Sequence, residues 1–171
     1  MNKKDFSRNC LSQALIELLA EHEFEEISIQ DIVNKAGFSR MAYYRNFKNK
    51  DEVIDYALDN VFNAFIKESN LSFKRMGIEQ FFETLFKWFA TNEMVNLTKM
   101  LIKRRLIGHM YSQFIKRAQG GFIPNQSHYV YDYIAGGIFA VYISWISSGS
   151  KETPEEIAKI ALNYTLIKND K

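Results

Sequence analysis

One stretch constrains the fold more than any other part of the chain, and it consists of residues 28–50, SIQDIVNKAGFSRMAYYRNFKNK. Ser28 can begin a helix, because its hydroxyl can accept a hydrogen bond from a free backbone N–H, and Asp31 follows at the third position as in a capping box. Gly37 occupies the position where helices often end with a positive φ. Ser39 can then cap a second short helix. Two short helices across so brief a turn predict a helix-turn-helix.

The second helix, residues 39–47, has two dissimilar faces. Tyr43 and Phe47 are four residues apart and are expected to point inward together. The opposite face consists of Arg40, Met41, Tyr44 and Arg45. Residues 32–50 contain no acidic side chain but five basic ones, which are Lys35, Arg40, Arg45, Lys48 and Lys50. Such a helix can enter a major groove, which is about 12 Å wide, and bring cations and hydroxyls to phosphates and base edges.

A resemblance to a known family is carried by the run F-x-x-I-S-I-x-D-I-x-x-x-A-G-F-S-R-x-x-Y-Y-R-x-F-x-N-K-D-E-V, which begins at Phe24. It resembles the DNA-binding domain of the TetR family of bacterial transcriptional regulators over roughly residues 6–58. The resemblance implies an all-α protein with an N-terminal three-helix helix-turn-helix domain, residues 1–50. A C-terminal helical domain for ligand binding and dimerisation is then expected over residues 51–171. That part resembles the family only in length and helical content.

The resemblance also implies which residues contact DNA. Tyr44 occupies the family's near-constant tyrosine position, where its hydroxyl can reach a phosphate; the alternative is a tyrosine of the core. Lys50 lies at the start of the fourth helix, where its charge and nearby free N–H groups can hold a phosphate. Arg40 is the candidate for reading guanine with two hydrogen bonds, although it can equally contact the backbone alone. The other positions that match DNA-contacting positions of the family are Ser28, Gln30, Ser39, Met41, Arg45, Asn46 and Lys48.

Two positions depart from the family pattern. Glu23 stands where the family usually has a glycine after the first helix, so this helix must end without a readily formed left-handed cap, or end a residue away. Met41 stands where the family tends to have a small residue, and it can touch a thymine methyl or simply fill space. The first helix itself is expected over about residues 5–22, with a buried stripe of leucines. Lys4 and Arg8 near its start can touch phosphate, but each is expected to be simply solvated.

Overall charge and cysteine content limit the possible functions. The formal net charge is only +2, so nucleic-acid binding must come from a local basic surface and not from the whole chain. Cys10 is the only cysteine, which excludes an intrachain disulfide and a cysteine-based zinc site and fits the reducing cytoplasm. The N-terminus lacks the apolar core of a signal peptide. We therefore expect a cytoplasmic protein.

Neither a cofactor nor a catalytic activity is expected. No glycine-rich phosphate loop and no nucleophile motif appears in the sequence. The histidines are widely separated and lack the spacing of metal ligands, at His22, His109 and His128. The sequence therefore predicts no metal site and gives no support to an enzyme.

The C-terminal domain is the expected place for an effector. Aromatic side chains at helical spacing can line an apolar cavity, or they can form plain core. The candidate pocket residues are Phe62, Phe65, Phe86, Phe89, Tyr111, Phe114, Tyr142 and Trp145. Such a lining suggests a small apolar or aromatic effector. The basic run at residues 103–105 is interpreted as a solvated helix end, where cations interact favourably with the helix dipole, and the alternative is a second nucleic-acid site.

Residues 127–148 predict the longest apolar helix. Small side chains recur along it every four residues, at Gly136, Ala140, Ser144 and Ser148. We reject a membrane span, because the uninterrupted apolar portion falls short of about 20 residues and Asp132 lies within the helix. The small-residue face indicates either an internal core contact or a subunit interface. TetR-like proteins generally dimerise through their last two long helices, so the predicted interface also includes Ile157, Ile160, Ala161 and Tyr164 of the final helix.

Taken together, these patterns predict a homodimeric, sequence-specific DNA-binding regulator. It is expected to be a ligand-responsive repressor that binds a roughly palindromic double-stranded operator. The alternative function is a helical protein–protein interaction module in which the helix-turn-helix is only structural. In that case partner binding would not depend on the basic face.

Overall fold

The computed structural model describes residues 3–119 and 127–165, and within these ranges the ordered elements are helices, with no strand. The predicted all-α fold is confirmed. In chain order the helices are α1 (Lys3–Glu21), α2 (Ile29–Ala36), α3 (Arg40–Asn46), α4 (Lys50–Ser69), α5 (Phe73–Met76), α6 (Ile78–Phe89), α7 (Asn92–Lys103), α8 (Ile107–Arg117), α9 (His128–Ser147) and α10 (Pro154–Thr165).

The chain forms two compact units. The first contains residues 1–62 together with residues 100–110, and the second contains residues 63–99 and 111–171. The first unit therefore includes the corner between α7 and α8, which lies far along the sequence from the helix-turn-helix. The domain limits expected from the sequence, 1–50 and 51–171, stay a prediction.

The first unit is built around the leucine stripe of α1. Leu11, Leu15 and Leu19 are fully buried, and α1 packs against both α2 and α3. Burying one such side chain contributes roughly 1.5–3 kcal/mol, so this stripe holds the three helices together. From α2 and α3 the core receives Ile32 and Tyr43, both with no exposed surface.

The end of α1 shows how the chain manages without the family's usual glycine. None of the described residues near this end has a positive φ. Instead Arg104, which is only 6% exposed, donates from Nε to the carbonyl of Leu19 at 2.9 Å and from a terminal nitrogen to that of Ala20 at 3.3 Å. The same guanidinium pairs with Glu23. Arg104 therefore caps the last turn of α1, whose carbonyls have no partner within the helix.

The interpretation of residues 103–105 as a solvated helix end was thus wrong for its central residue. Lys103 and Arg105 are exposed as expected, but Arg104 is buried. Its partners lie more than 80 residues earlier in the chain, and this separation is why the local pattern did not reveal them.

The second unit is organised around stacked aromatic rings. In this unit α10 packs against α6 and α9. The Phe89 ring stacks on Tyr142 with centroids 3.9 Å apart, and Phe65 stacks on Trp88 at 4.0 Å. Tyr142 is fully buried, and its hydroxyl is hydrogen-bonded to that of Thr98. The stacking and burial together make these rings the centre of the unit.

Alkaline pH is expected to destabilise the fold through Tyr142. Burial raises the pKa of its hydroxyl to about 12, whereas an exposed tyrosine titrates near pH 10. The stabilisation is therefore complete below about pH 10 and is lost as the pH rises through about 12. We expect the free energy of unfolding of the wild type to fall over this range, and Tyr142→Phe to remove about 2 kcal/mol of the fall between pH 8 and pH 11.5.

Urea unfolding at pH 8, 10 and 11.5 measures this effect. Tyr44→Phe is the matched control, because Tyr44 is 53% exposed and lies outside the second unit. Burial also raises the pKa of Tyr43 to about 12, so part of the alkaline loss should persist in Tyr142→Phe. An identical pH dependence in the wild type and in Tyr142→Phe would contradict the assignment.

Candidate nucleic-acid interface

Helix α2 begins and ends as its sequence predicts. The backbone N–H of Asp31 donates to Ser28 Oγ at 3.2 Å, and the backbone N–H of Ser28 donates to Asp31 Oδ2 at 2.8 Å, which completes a capping box. The Ser28 hydroxyl also donates to Asp31 Oδ2 at 2.6 Å, and this hydrogen bond, together with the one from the Ser28 backbone N–H, lowers the pKa of the Asp31 carboxyl. At the other end Gly37 has a φ of 71°, a conformation that side chains with a Cβ rarely adopt. The turn into α3 is therefore fixed by local chemistry.

Helix α3 presents the two faces that were expected. Ser39 caps it by accepting a hydrogen bond from the backbone N–H of Ala42 at 3.2 Å. On the inner side Tyr43 and Phe47 are buried. The outer face is exposed, and its members are Arg40, Met41, Tyr44 and Arg45. A seven-residue helix with one face anchored in the core can present the other face to a groove.

The exposed face combines a phenol, cations and a thioether. Tyr44 is 53% exposed, and its ring lies edge-on against the buried Tyr43 at 5.4 Å, so its orientation is supported from below. Arg45 approaches the sulfur of Met41 at 3.2 Å, one turn away on the same face. The phenol of Tyr44 and the guanidinium groups can donate to phosphate oxygens and to base edges, whereas the thioether of Met41 offers an apolar contact.

Several predicted contact residues also hold the fold together. Asn46 donates from Nδ2 to Ser7 Oγ at 3.1 Å and to the carbonyl of Ala42 at 2.8 Å, so its amide faces α1. The ammonium of Lys50 donates to the carbonyls of Phe24 and Ile27 and lies 4.6 Å from the Phe24 ring centre. DNA contact by Asn46 and Lys50 stays a prediction, and each side chain has structural partners in addition.

The remaining predicted positions lie at the surface. Gln30 is exposed and donates to Asn34 at 2.7 Å within α2. Lys48 is exposed, and its backbone N–H donates to Glu52 at 2.8 Å. Lys35 forms an ion pair with Glu17 of α1 at 3.2 Å, with both side chains about half exposed. Arg40, Arg45 and Lys48 are thus the basic side chains of this stretch that have neither an ion pair nor a backbone carbonyl partner among the described residues.

Sequence reasoning missed the part that Arg8 plays. The expectation that it is solvated was wrong, because its guanidinium lies 4.0 Å from the ring centre of Tyr56 and 5.0 Å from that of Phe47. Asn9, the next residue, accepts from the Tyr56 hydroxyl at 2.8 Å. With Ser7 bound to Asn46, the start of α1 thus contacts both α3 and α4. The aromatic residues Phe47 and Tyr56 were the feature of the sequence that could have suggested a cation–π partner for Arg8.

The described residues contain no group of three or more histidine, cysteine or acidic side chains that could hold a metal ion. His109 lies between two carboxylates of α4, with its Nδ1 at 2.8 Å from Asp55 and its Nε2 at 3.5 Å from Asp51. This arrangement connects α8 to α4 by hydrogen bonding within the first unit.

The aromatic residues predicted to line a pocket are divided between the two units. Phe62 belongs to the first unit and the other seven to the second. Of these seven, Tyr111 is 40% exposed, whereas the others are buried, and Phe89 contacts Phe86, Phe114 and Tyr142 directly. An effector cavity among them stays a prediction.

A surface groove of about 490 Å³ runs between α9 and α10. It is lined by four of the residues predicted to form the dimer interface, which are Gly136, Ala140, Ala161 and Tyr164. Of the other four, Ile157 is buried, and Ser144, Ser148 and Ile160 are exposed. Tyr133 beside the groove is 70% exposed, so a wide apolar surface is open to the surroundings.

Helix α9 is also the one helix among the described residues that is long and apolar enough to cross a membrane. One such helix is weak evidence for a span, because a core helix of a soluble protein passes the same test. Only a third of its most apolar window is buried within the chain. Its exposed apolar surface therefore requires an explanation.

Two family models match the chain. The model for bacterial regulatory proteins of the tetR family matches residues 11–57, and a model for the C-terminal region of transcriptional regulators matches residues 77–166. A curated relative is the HTH-type dhaKLM operon transcriptional activator DhaS of Lactococcus lactis, 24% identical over 70 residues. That match spans 41% of this chain and 37% of the relative.

Solved structures share the fold at low sequence identity. A TetR transcriptional regulator from Streptococcus agalactiae is 15% identical, with 95% of each chain covered and a TM-score of 0.60. FadR of Thermus thermophilus, a TetR-family repressor solved in complex with lauroyl-CoA, is 14% identical, with 93% of each chain covered and a TM-score of 0.53. These structural similarities extend over nearly the whole chain, and therefore also over residues 59–171, where we identified no family motif in the sequence.

Proposed function

The chain belongs to the TetR family of bacterial regulatory proteins, because one family model covers more than half of it and a second covers its helix-turn-helix, and from this membership we propose that it is a ligand-responsive repressor. It acts in the cytoplasm as a homodimer on a roughly palindromic operator. Each subunit places α3 in a major groove, and the two grooves lie about one helical turn apart or slightly more.

The observation that carries this proposal is the exposed outer face of α3. Tyr44 and Arg40 are exposed on a helix whose inner face is buried and whose start is capped by Ser39. Because rigid elements position side chains accurately, this face is suited to repeated contact with one surface. Two arginines without an acidic neighbour on the helix favour a polyanion as that surface.

Dimerisation through α9 and α10 accounts for the exposed apolar surface of α9. Tyr129, Tyr133 and Tyr164 are each at least 70% exposed, and Gly136 and Ala140 leave a groove that a second copy can fill. A twofold interface places the same patch on both subunits, and aromatic residues beside small ones suit such self-complementary packing. The proposed operator is palindromic because the dimer has this symmetry.

The proposed effector is a small apolar or aromatic molecule that binds the second unit. The support is the concentration of aromatic side chains in that unit, and the similar FadR of Thermus thermophilus was solved with lauroyl-CoA. In this proposal the effector weakens DNA binding because it prefers a conformation in which the α3 helices are wrongly spaced. The relative DhaS is named as a transcriptional activator. For the present protein to act as a repressor, its operator must overlap the promoter of the genes that it regulates.

Substitution of Arg40 and of Lys48 is expected to have different effects on DNA binding. Arg40→Ala should reduce discrimination between the operator and a scrambled sequence by about 1–3 kcal/mol per subunit, because each subunit loses a base contact. Lys48→Ala should weaken binding to both sequences alike and reduce the salt slope by about two units, because each subunit of the dimer loses a phosphate contact.

Fluorescence anisotropy with the two DNA duplexes at several salt concentrations measures both effects. A wild type that binds both duplexes equally, with no salt dependence, would contradict the proposed function itself. Equal loss of affinity on both sequences by both variants would contradict the roles assigned to Arg40 and Lys48.

A further inference from the structure

We propose that Arg104 and His109, from the corner between α7 and α8, are positioning residues for DNA binding. They lie far outside the helix-turn-helix match, yet residues 100–110 form part of the same compact unit as that motif. The proposal rests on the proposed function, since it concerns how the DNA-binding helices are held. It assigns to the corner a role in affinity for the operator that is separate from any contact with DNA.

Arg104 holds the end of α1. Its guanidinium is 6% exposed and donates to the carbonyls of Leu19 and Ala20, while the Glu23 carboxylate balances its charge. Hydrogen bonds from a charged donor contribute more than those between neutral groups. The C-terminal end of α1 is thus tied to the corner by two hydrogen bonds, and the loop that follows it by an ion pair.

His109 holds the start of α4. Its ring is hydrogen-bonded to Asp55 at 2.8 Å and lies 3.5 Å from Asp51, in the first turns of that helix. Asp51 directly follows Lys50, which donates to the carbonyls of Phe24 and Ile27 in the loop before α2. The corner therefore contacts the segments on both sides of the helix-turn-helix.

The position of α3 depends on these two segments. Helix α1 packs against α2 and α3, and Ser7 near its start accepts a hydrogen bond from Asn46 at the end of α3. The helix-turn-helix is therefore held by α1 and α4. The corner in turn contacts the C-terminal end of α1 through Arg104 and the first turns of α4 through His109. A small tilt of α1 or α4 moves the outer face of α3 relative to a groove.

This arrangement gives the operator affinity a dependence on the corner that a self-contained three-helix domain would lack. Because the contacts are directed and short, loss of Arg104 loosens the angle between α1 and α4 without removing a group from the DNA-facing surface. Displacements of about 1 Å are sufficient to weaken interactions that depend on placed hydrogen bonds. The effect should thus appear in operator affinity and specificity, and not in the salt dependence.

The test compares Arg104→Met with Lys103→Met and Arg105→Met, the two neighbouring basic residues, both of which are exposed. Dissociation constants for the operator and for a scrambled duplex are measured at several salt concentrations, well below each variant's unfolding midpoint. We expect Arg104→Met to weaken operator binding at least 10-fold, to lower the ratio between operator and scrambled DNA, and to leave the salt slope unchanged. Each control should change operator affinity less than 2-fold.

His109→Leu provides a second variant, should Arg104→Met fail to fold. It removes the contacts with Asp55 and Asp51 at a half-buried position, and we expect a 3- to 10-fold loss of operator affinity with an unchanged salt slope. Folded variants that bind the operator as well as the wild type would overturn the inference alone. A salt slope reduced by about two units in Arg104→Met would also overturn it, because that result indicates a direct phosphate contact in each subunit. A wild type without sequence preference would instead overturn the proposed function.

Discussion

Replacing Ala140 with arginine is expected to convert the dimer into a monomer and to reduce operator affinity at least 100-fold. Ala140 is exposed and lines the groove between α9 and α10, next to Gly136. In the proposed dimer this surface is covered by the same surface of a second copy. An arginine there brings a charge into an apolar contact, and twofold symmetry brings in two such charges.

The size of the expected effect follows from the burial of charge. An unpaired ion in an apolar contact is destabilising by several kcal/mol, and each of the two symmetric copies contributes. Loss of the dimer then leaves single subunits, each of which makes only half of the contacts with a palindrome. Each 1.4 kcal/mol of lost binding free energy lowers affinity tenfold. Loss of one half-site removes all the DNA contacts of one subunit, so the expected loss of affinity is at least 100-fold.

Sedimentation velocity and operator titration with the same preparations measure the two parts of this prediction. Ala64→Arg is the matched control, because Ala64 is an exposed alanine of α4 outside the groove. The control should remain dimeric and bind the operator normally. An Ala140→Arg variant that stays dimeric at micromolar concentration would show that subunits associate through another surface.

Loss of Tyr44 is expected to have an effect on operator affinity of comparable size. Tyr44→Ala should weaken operator binding by about 1.5–3 kcal/mol per subunit, because a hydrogen bond to a charged phosphate is lost together with the ring that orients it. In a dimer both subunits contribute, so the combined loss is about 3–6 kcal/mol. Stability should change little, because the side chain is 53% exposed.

Tyr44→Phe separates the hydroxyl from the ring. It retains the edge-on contact with Tyr43 at 5.4 Å and removes only the donor. We expect it to account for most of the loss in affinity measured for Tyr44→Ala by fluorescence anisotropy. If Tyr44→Phe binds as tightly as the wild type while Tyr44→Ala does not, the ring and not the hydroxyl makes the contact.

Features decided by neighbouring residues could be predicted from the sequence. The capping box at Ser28 depends on a residue three positions away, and the positive φ of Gly37 depends on that residue alone. The burial of Tyr43 and the exposure of Tyr44 follow from the periodicity of a helix. For this reason the helix-turn-helix was predicted in detail.

Features decided by distant residues could not be predicted in this way. Glu23 could be identified as a departure from the family, but the residue that compensates for it, Arg104, is 81 positions away and is flanked by two exposed basic residues. The inward orientation of the Asn46 amide likewise depends on Ser7. Helical spacing cannot distinguish stacked core aromatics from pocket walls, because both require apolar residues on the same face.

The measurement that tests the central proposal most directly is a selection of genomic DNA fragments by the wild-type protein, repeated at two salt concentrations, with Tyr44→Ala selected in parallel. We predict that the wild type enriches a short palindrome, that enrichment weakens at the higher salt concentration, and that Tyr44→Ala enriches no sequence. Failure of the wild type to enrich any sequence, or equal enrichment by the wild type and Tyr44→Ala, would contradict sequence-specific DNA binding through the outer face of α3.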